Sequence, residues 1–185
     1  PFNVTQTGAA TFHRGTSGEL IVEAGAAPVP DLAAPGLVWR ETDDFAAVAW
    51  GKLLVNLGNA LNALADLPLL EQLQDRAWRR LMADQMDEAL AVLRAAGITP
   101  ARFTAAPVRL VPHILRLPTW AFRRIAAQML TIDPKARSSM WEDLRKGRPT
   151  EIDALQGAVL ALAETQGVDC PLMRRVVAAI RAAEA

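Results

Sequence analysis

Residues 42–65, TDDFAAVAWGKLLVNLGNALNALA, decide the fold because their apolar side chains would cover nearly every side of a helix. Thr42 suits the N-cap position, and Asp43 and Asp44 follow in the first turn, where the helix dipole favours carboxylates. A helix that is apolar nearly all round is normally buried in a core. The stretch therefore predicts the central helix of a mainly α bundle.

The polar residues of this segment share one face. At about 100° per residue, Asn56 lies about 40° from Lys52, and Asn59 lies about 20° away on the other side. A lysine and two carboxamides are costly to bury without partners. We expect this face to line a cleft with other polar groups. A helix with one solvent-exposed edge would give the same pattern.

A second polar stretch, SSMWEDLRKGRPTEID, occupies residues 138–153. Thr150 suits an N-cap, so a helix is predicted from Glu151, and Asp153 could reach back to the cap. Taken alone, the pattern also fits a capped surface helix. Further helices are predicted over residues 68–97, 119–129 and 171–185, the last with Asp169 as a candidate cap.

The start of the chain differs from the rest. Residues 1–23 combine strand-forming residues with glycines, and residues 24–41 are rich in proline, alanine and glycine. Two or three short strands cannot bury a face by themselves. We expect strands remaining from an N-terminal domain in residues 1–23, a linker over 24–41 and a helical domain over 42–185. The start at Pro1 fits a fragment of a longer protein, as it would a chain processed after its initiator methionine.

Composition narrows the class of protein. The 185 residues carry 20 lysines and arginines against 20 aspartates and glutamates, so no overall field would attract nucleic acid or an anionic membrane. Arg76, Arg79 and Arg80 are expected to form a solvated helix face. The single cysteine and the short apolar runs without a signal peptide predict a cytoplasmic protein with no membrane segment.

Most familiar catalytic patterns are missing from the sequence. His13 and His113 are far apart, which gives no support for a metal site, and Cys170 is expected to be structural. Neither GxGxxG nor GxxxxGK[ST] occurs. Any nucleotide must therefore be held elsewhere.

Two stretches together carry a family resemblance. The first is WGKLLVN at residues 50–56, and the second comprises SSMWED at 138–143, GRPTEID at 147–153 and Gly157. They resemble the C-terminal domain of the ketopantoate reductase (2-dehydropantoate 2-reductase) family over about residues 45–180. Residues 1–23 are similar to the last strands of that family's nucleotide-binding domain. The resemblance implies a helical bundle of the type found in the C-terminal domain of 6-phosphogluconate dehydrogenase.

The resemblance also implies a reaction, in which NADPH transfers hydride to the ketone of 2-dehydropantoate on the route to pantothenate and coenzyme A. Lys52 would be the general acid and Asn56 would orient the substrate. Ser139 would hold the substrate carboxylate, and Glu151 its hydroxyl group. The family commonly has a second asparagine where this chain has Ala60, and Asn59 would take its place.

These implications lead to one geometric expectation: Lys52 and Glu151 should face the same cleft, joined directly or through a water molecule. The residues 1–185 alone are not expected to turn over, and a homodimer would be compatible with the resemblance. Two other readings stay open, namely a non-catalytic helical module for dimerisation or partner binding, and a related dehydrogenase acting on another 2-oxo acid.

Overall fold

The computed structural model describes residues 4–14, 19–25, 38–102, 106–127 and 133–185. The chain divides into two compact units, Pro1–Ala46 and Ala47–Ala185. Among the described residues, no helix is both long enough and apolar enough to cross a bilayer.

The first unit contains four short strands in two pairs. Strands β1 (Val4–Gly8) and β2 (Thr11–Arg14) pair antiparallel, and β3 (Glu19–Glu23) pairs parallel with β4 (Val38–Thr42). Three strands within residues 1–23 agree with the prediction. Residues 38–41, however, belong to a strand where a linker was expected, and the rest of that linker, residues 26–37, lies outside the described residues.

Helices dominate the chain from residue 45 onward, which confirms the prediction of a mainly α fold. The nine α-helices within the described ranges are α1 (Phe45–Asn56), α2 (Gly58–Ala65), α3 (Leu69–Gln74), α4 (Arg76–Ala95), α5 (Val111–Arg116), α6 (Thr119–Ile125), α7 (Ser139–Arg145), α8 (Ala158–Gln166) and α9 (Pro171–Glu184). A 3₁₀ turn, Val108–Leu110, precedes α5, and a π-helical turn, Asp153–Gly157, precedes α8.

Two predicted helices are interrupted. The central helix breaks at Leu57, between α1 and α2, and Thr42 ends β4 rather than starting α1. The helix predicted over residues 68–97 breaks at Asp75, whose backbone is extended and whose Oδ1 accepts a 2.7 Å hydrogen bond from Ala77 N. An aspartate in this position begins a new helix because it satisfies one of the free N–H groups of the first turn.

The last helix is capped by a residue from another helix. The two carboxylate oxygens of Glu88 on α4 accept hydrogen bonds from Leu172 N, at 2.9 Å, and Met173 N, at 2.8 Å. Asp169, the expected cap, instead pairs with Arg174. This arrangement ties α9 to α4, and the buried Cys170 beside it packs in the core.

Three clusters of buried side chains form the core of the second unit. One joins α1, α4, α8 and α9, the second joins α2, α7 and α9, and the third joins α3 to α6. Their centres include Leu54, Val92, Met140, Ile180 and Phe122, each at most 1% exposed. The helix carrying Lys52 is buried along one side only, at Ala47, Gly51 and Leu54, whereas its Phe45 and Val55 side chains are exposed.

Arg79 lies inside this core rather than on a solvated face. Its side chain is fully buried, and its guanidinium donates to the carbonyl oxygens of Leu73, Gln74, Leu115 and Leu117 at 2.8–3.1 Å. The guanidinium carbon also lies 4.3 Å from the centre of the Phe122 ring. Arg79 therefore joins α4 to the ends of α3 and α5.

Candidate active site

Three of the five predicted site residues meet at one carboxylate. Ser139 Oγ donates a 3.2 Å hydrogen bond to Glu151 Oε1, and Asn59 Nδ2 lies 3.5 Å from the same oxygen. The residues come from α2, from the first turn of α7 and from the segment that leads into the π-helical turn. Glu151 and Ser139 are exposed, so the group is open to a ligand from solvent.

A buried hydrogen-bond network brings Ser139 next to α2. Ser138 N donates a 2.8 Å hydrogen bond to Asn62 Oδ1, and Ser138 Oγ donates to the carbonyl oxygen of Asn59 at 3.1 Å. The same hydroxyl caps α7 by accepting from Trp141 N at 3.2 Å. The network therefore fixes the start of α7, and with it Ser139, against the helix that carries Asn59.

Asp66 makes a second connection between α2 and α7. Its carboxylate accepts a 2.7 Å hydrogen bond from Trp141 Nε1 and pairs with Arg145 and with Arg137. These N–H donors and positive charges hold the pKa of the Asp66 carboxyl below its ordinary value. Asp66 also ends α2 in the left-handed region, at φ 52°, which turns its side chain toward α7.

Lys52 and Asn56 lie on α1, one turn apart and partly buried. Within the described ranges, Lys52 Nζ has no hydrogen bond or ion pair, so a direct ion pair with Glu151 is not formed. A water-bridged contact between the two stays a prediction. An ammonium that no carboxylate neutralises is suited to donate a proton to a ligand oxygen.

The break at Leu57 separates these two residues from Asn59. The carbonyl oxygen of Leu57 accepts hydrogen bonds from Gln85 Nε2 at 2.8 Å and from Gln156 Nε2 at 3.0 Å. Two side-chain donors thus satisfy an acceptor at the helix junction. Gln156 belongs to the π-helical turn that follows Glu151, so this turn binds the junction between α1 and α2 directly.

A cavity of about 260 Å³ adjoins the site. Its lining includes Asn56 and Asn59, together with Gln72 and apolar side chains of α1, α3, α4 and α5. Sequence reasoning missed this cavity, the structural role of Ser138 and the two glutamines at Leu57. Asn62 stood out in the sequence as an additional carboxamide on an otherwise apolar helix, but its bond to Ser138 could not be foreseen.

The described residues show no cradle for a nucleotide or a metal. No group of three or more potential metal-binding side chains occurs among them. The sequence contains no glycine-rich phosphate loop, so these residues do not fit a dinucleotide by themselves.

Comparison with known proteins places the chain in a family. Residues 44–184 match the family described as "Ketopantoate reductase PanE/ApbA C terminal". A 2-dehydropantoate 2-reductase of Mesorhizobium japonicum is 30% identical over 152 residues, which cover 82% of this chain and 41% of the relative. The chain therefore belongs to the ketopantoate reductase family, through its C-terminal domain.

Solved structures agree with this assignment. A PanE/ApbA family ketopantoate reductase from Ralstonia eutropha JMP134 is 27% identical in sequence and superposes with a TM-score of 0.75. The match covers 100% of this chain and 57% of the Ralstonia chain. A dimeric ketopantoate reductase from Staphylococcus aureus shares the fold at 20% sequence identity, with a TM-score of 0.75. The match covers 100% of this chain and 60% of the Staphylococcus chain. The chain spans 41–60% of the length of these three relatives.

Proposed function

We propose that this chain is the substrate-binding and proton-donating part of an NADPH-dependent 2-dehydropantoate 2-reductase, a cytoplasmic enzyme of pantothenate and coenzyme A synthesis. The observation that carries the proposal is that Asn59 and Ser139 both donate hydrogen bonds to the Glu151 carboxylate. Membership of the family supports the reaction class.

In this proposal, Lys52 protonates the carbonyl oxygen of the substrate as negative charge develops on it. Lys52 suits this role because no carboxylate among the described residues pairs with its ammonium group, which leaves its proton available to the substrate. Asn56 orients the carbonyl group from the next turn of α1. No other group on this chain is assigned to the proton transfer.

Ser139, Asn59 and Glu151 position the rest of the molecule. In the structure, Ser139 and Asn59 both direct a hydrogen-bond donor at Glu151. A bound acid would take over these donors, with its carboxylate at Ser139 and its hydroxyl group donating to Glu151. Asn59 is suited to replace the family's second asparagine because it reaches Glu151, whereas Ala60 is fully buried in the core.

The hydride would come from a nicotinamide held by a nucleotide-binding domain outside these residues. We therefore expect residues 1–185 alone to bind the acid without reducing it. A homodimer is part of the proposal, supported by the dimeric relative from Staphylococcus aureus. Light scattering on the full-length protein would test it.

The deciding experiment measures NADPH-dependent reduction of 2-dehydropantoate by the full-length protein. Lys52→Ala should lower kcat by at least about 100-fold, which is the usual contribution of a general acid. Lys135→Ala is the matched control because Lys135 is exposed and its side chain makes no hydrogen bond or ion pair within the described ranges. Equal activity of the two variants would refute the role of Lys52.

A second candidate substrate class is supported by the cavity beside Asn56 and Asn59, which suggests a different 2-oxo acid. Turnover of other 2-oxo acids at a higher kcat/KM than 2-dehydropantoate would favour this alternative. A full-length protein that reduces no 2-oxo acid would instead favour a non-catalytic helical module.

A further inference from the structure

The residues on both sides of Glu151 are held by the end of α9. Before it, Thr150 N donates a 2.8 Å hydrogen bond to a carboxylate oxygen of Glu184, the last residue of α9. After it, Asp153 forms a 2.6 Å ion pair with Arg181, which lies about one turn earlier on the same helix. Both contacts reach residues within two positions of Glu151, so the end of α9 brackets the backbone that carries the proposed substrate-binding carboxylate.

Buried packing between these two contacts fixes the same segment. Ile152 is 2% exposed and belongs to a core cluster that includes Val176, Val177 and Ile180 of α9. The first turn of α9 is tied to α4 by the hydrogen bonds to Glu88. The helix therefore connects α4, at one end, to the segment around Glu151 at the other.

Glu184 lies where its own helix disfavours a negative charge. A carboxylate in the last turn of a helix is close to the negative end of the helix dipole, and Glu184 is exposed. Its partner Thr150, however, directly precedes the helical segment that begins after Glu151, and the start of a helix favours a carboxylate. The gain from Glu184 therefore comes from its bond to Thr150 and not from the stability of α9 itself.

We infer that Glu184 and Arg181 are positioning residues, which set the direction in which Glu151 presents its carboxylate to the substrate. The inference rests on the proposed function, in which Glu151 accepts the hydroxyl group of the acid. Both residues act through the chain on either side of Glu151 and make no contact with the ligand. Because a hydrogen bond weakens steeply as its angle departs from linear, a small rotation of this backbone lowers the affinity for the acid.

The first test reads the geometry of the site in the 185-residue chain. The side-chain amide of Asn59 lies 3.5 Å from Glu151 Oε1, so its NMR resonances report the position of that carboxylate. Glu184→Ala should shift these resonances, whereas Glu184→Gln, which keeps an oxygen for Thr150 N, should leave them close to their natural values. Glu164→Ala is the matched control, since Glu164 is exposed on α8 and its side chain has no polar partner among the described residues.

The second test measures KM and kcat for the 2-oxo acid in the full-length protein. Glu184→Ala should raise KM by about five-fold, the effect of one ordinary hydrogen bond, with a much smaller change in kcat. Arg181→Ala should raise KM as well. Its matched control is Arg174→Ala, which removes a similar surface pair with Asp169 in the first turn of α9 and should leave KM unchanged.

A double-mutant cycle distinguishes positioning from a general loss of structure. If Glu184 acts through Glu151, then Glu184→Ala should raise KM no further in a protein that already carries Glu151→Ala, because no carboxylate is left to position. The melting temperature of Glu184→Ala should stay close to that of the natural chain, since removing a charge from the end of α9 offsets the lost hydrogen bond.

The outcomes separate this inference from the proposed function. Asn59 resonances that do not move in Glu184→Ala would overturn the inference, whether or not the full-length protein reduces 2-dehydropantoate. An equal rise in KM with and without the Glu151 side chain would overturn it too. A full-length protein that reduces no 2-oxo acid would refute the proposed function, and the NMR comparison would still decide whether α9 positions Glu151.

Discussion

Ser138 N and Asn62 Oδ1 are 2.8 Å apart, in a hydrogen bond whose two residues are at most 5% exposed. The bond joins the residue that caps α7 to the middle of α2. Ser139 follows Ser138 directly, and Asn59 lies one turn before Asn62. The distance between the two predicted substrate-binding residues thus depends on a buried pair that touches no substrate in our proposal.

Replacing Asn62 by leucine should lower the free energy of unfolding by at least about 3 kcal/mol. The change would leave Ser138 N, Leu67 O and Gln72 Oε1 without their hydrogen-bond partner. Each buried polar group that loses its partner costs about 1–3 kcal/mol. Urea unfolding of the 185-residue chain measures the effect. Asn56→Leu is the control, since no side-chain hydrogen bond of Asn56 occurs in the described ranges, and an equal loss in both variants would contradict the prediction.

Asp66→Asn should lower the melting temperature of the protein by an amount that depends on pH. Because the folded pKa of Asp66 is lowered, its contribution is fully present above its ordinary pKa, near 3.8, and is lost as pH falls through the folded value. The melting temperature of the natural chain should exceed that of the variant at about pH 7, and the gap should close in acid.

The control for this experiment is Asp169→Asn, which removes one surface pair with Arg174. Isolated surface pairs contribute little, so this variant should melt close to the natural chain at both pH values. If the difference in melting temperature between the natural chain and Asp66→Asn stays constant with pH, the charge of Asp66 does not contribute to stability.

Arg79→Lys should cost about 3–5 kcal/mol of stability. Lysine cannot reproduce the planar set of donors that reaches four carbonyl oxygens, and it would leave a buried charge incompletely paired. Burial lowers the pKa of Arg79, but a guanidinium keeps its charge at any ordinary pH. Arg80→Lys, one exposed position further on, should be nearly neutral in the same denaturation assay, and equal effects would rule out a special role for Arg79.

Glu151→Gln should raise KM for the 2-oxo acid by about ten-fold in the full-length protein, with a smaller change in kcat. The carboxamide keeps an oxygen for Ser139 and Asn59, but it loses the charge that strengthens a hydrogen bond from the substrate hydroxyl. Steady-state kinetics provide the measurement, and Glu142→Gln on the exposed side of α7 is the control. An unchanged KM would remove Glu151 from the substrate site.

The sequence predicted the helical class, and this prediction succeeds because helical periodicity is a local property of the chain. The structure also brings together Asn59, Ser139 and Glu151, three of the residues that the family motifs and the helical spacing singled out. Their role in binding a substrate stays a prediction, as does a link between Lys52 and Glu151. The strand Val38–Thr42 also carried a local signal, its valine, tryptophan and threonine, which the proline-rich segment before it obscured.

Other features depend on partners far away in the chain. The break at Leu57 interrupts a continuous helical pattern because Gln85 and Gln156, 28 and 99 residues further on, reach its carbonyl oxygen. The sequence predicts Arg79 to be a surface residue because Arg76 and Arg80 lie beside it. In the structure, however, the carbonyl groups around Arg79 hold it inside the core. Neither partnership can be read from spacing.

The carbonyl oxygen of Leu57 lies between the part of the chain that carries Lys52 and the part that carries Asn59, and Gln85 and Gln156 both donate to it. In our proposal Lys52 is the proton donor and Asn59 a substrate-binding residue, while the two glutamines contact no substrate. Substitution of either glutamine is therefore expected to shift Lys52 and Asn59 relative to each other without altering any group that takes part in the proposed chemistry.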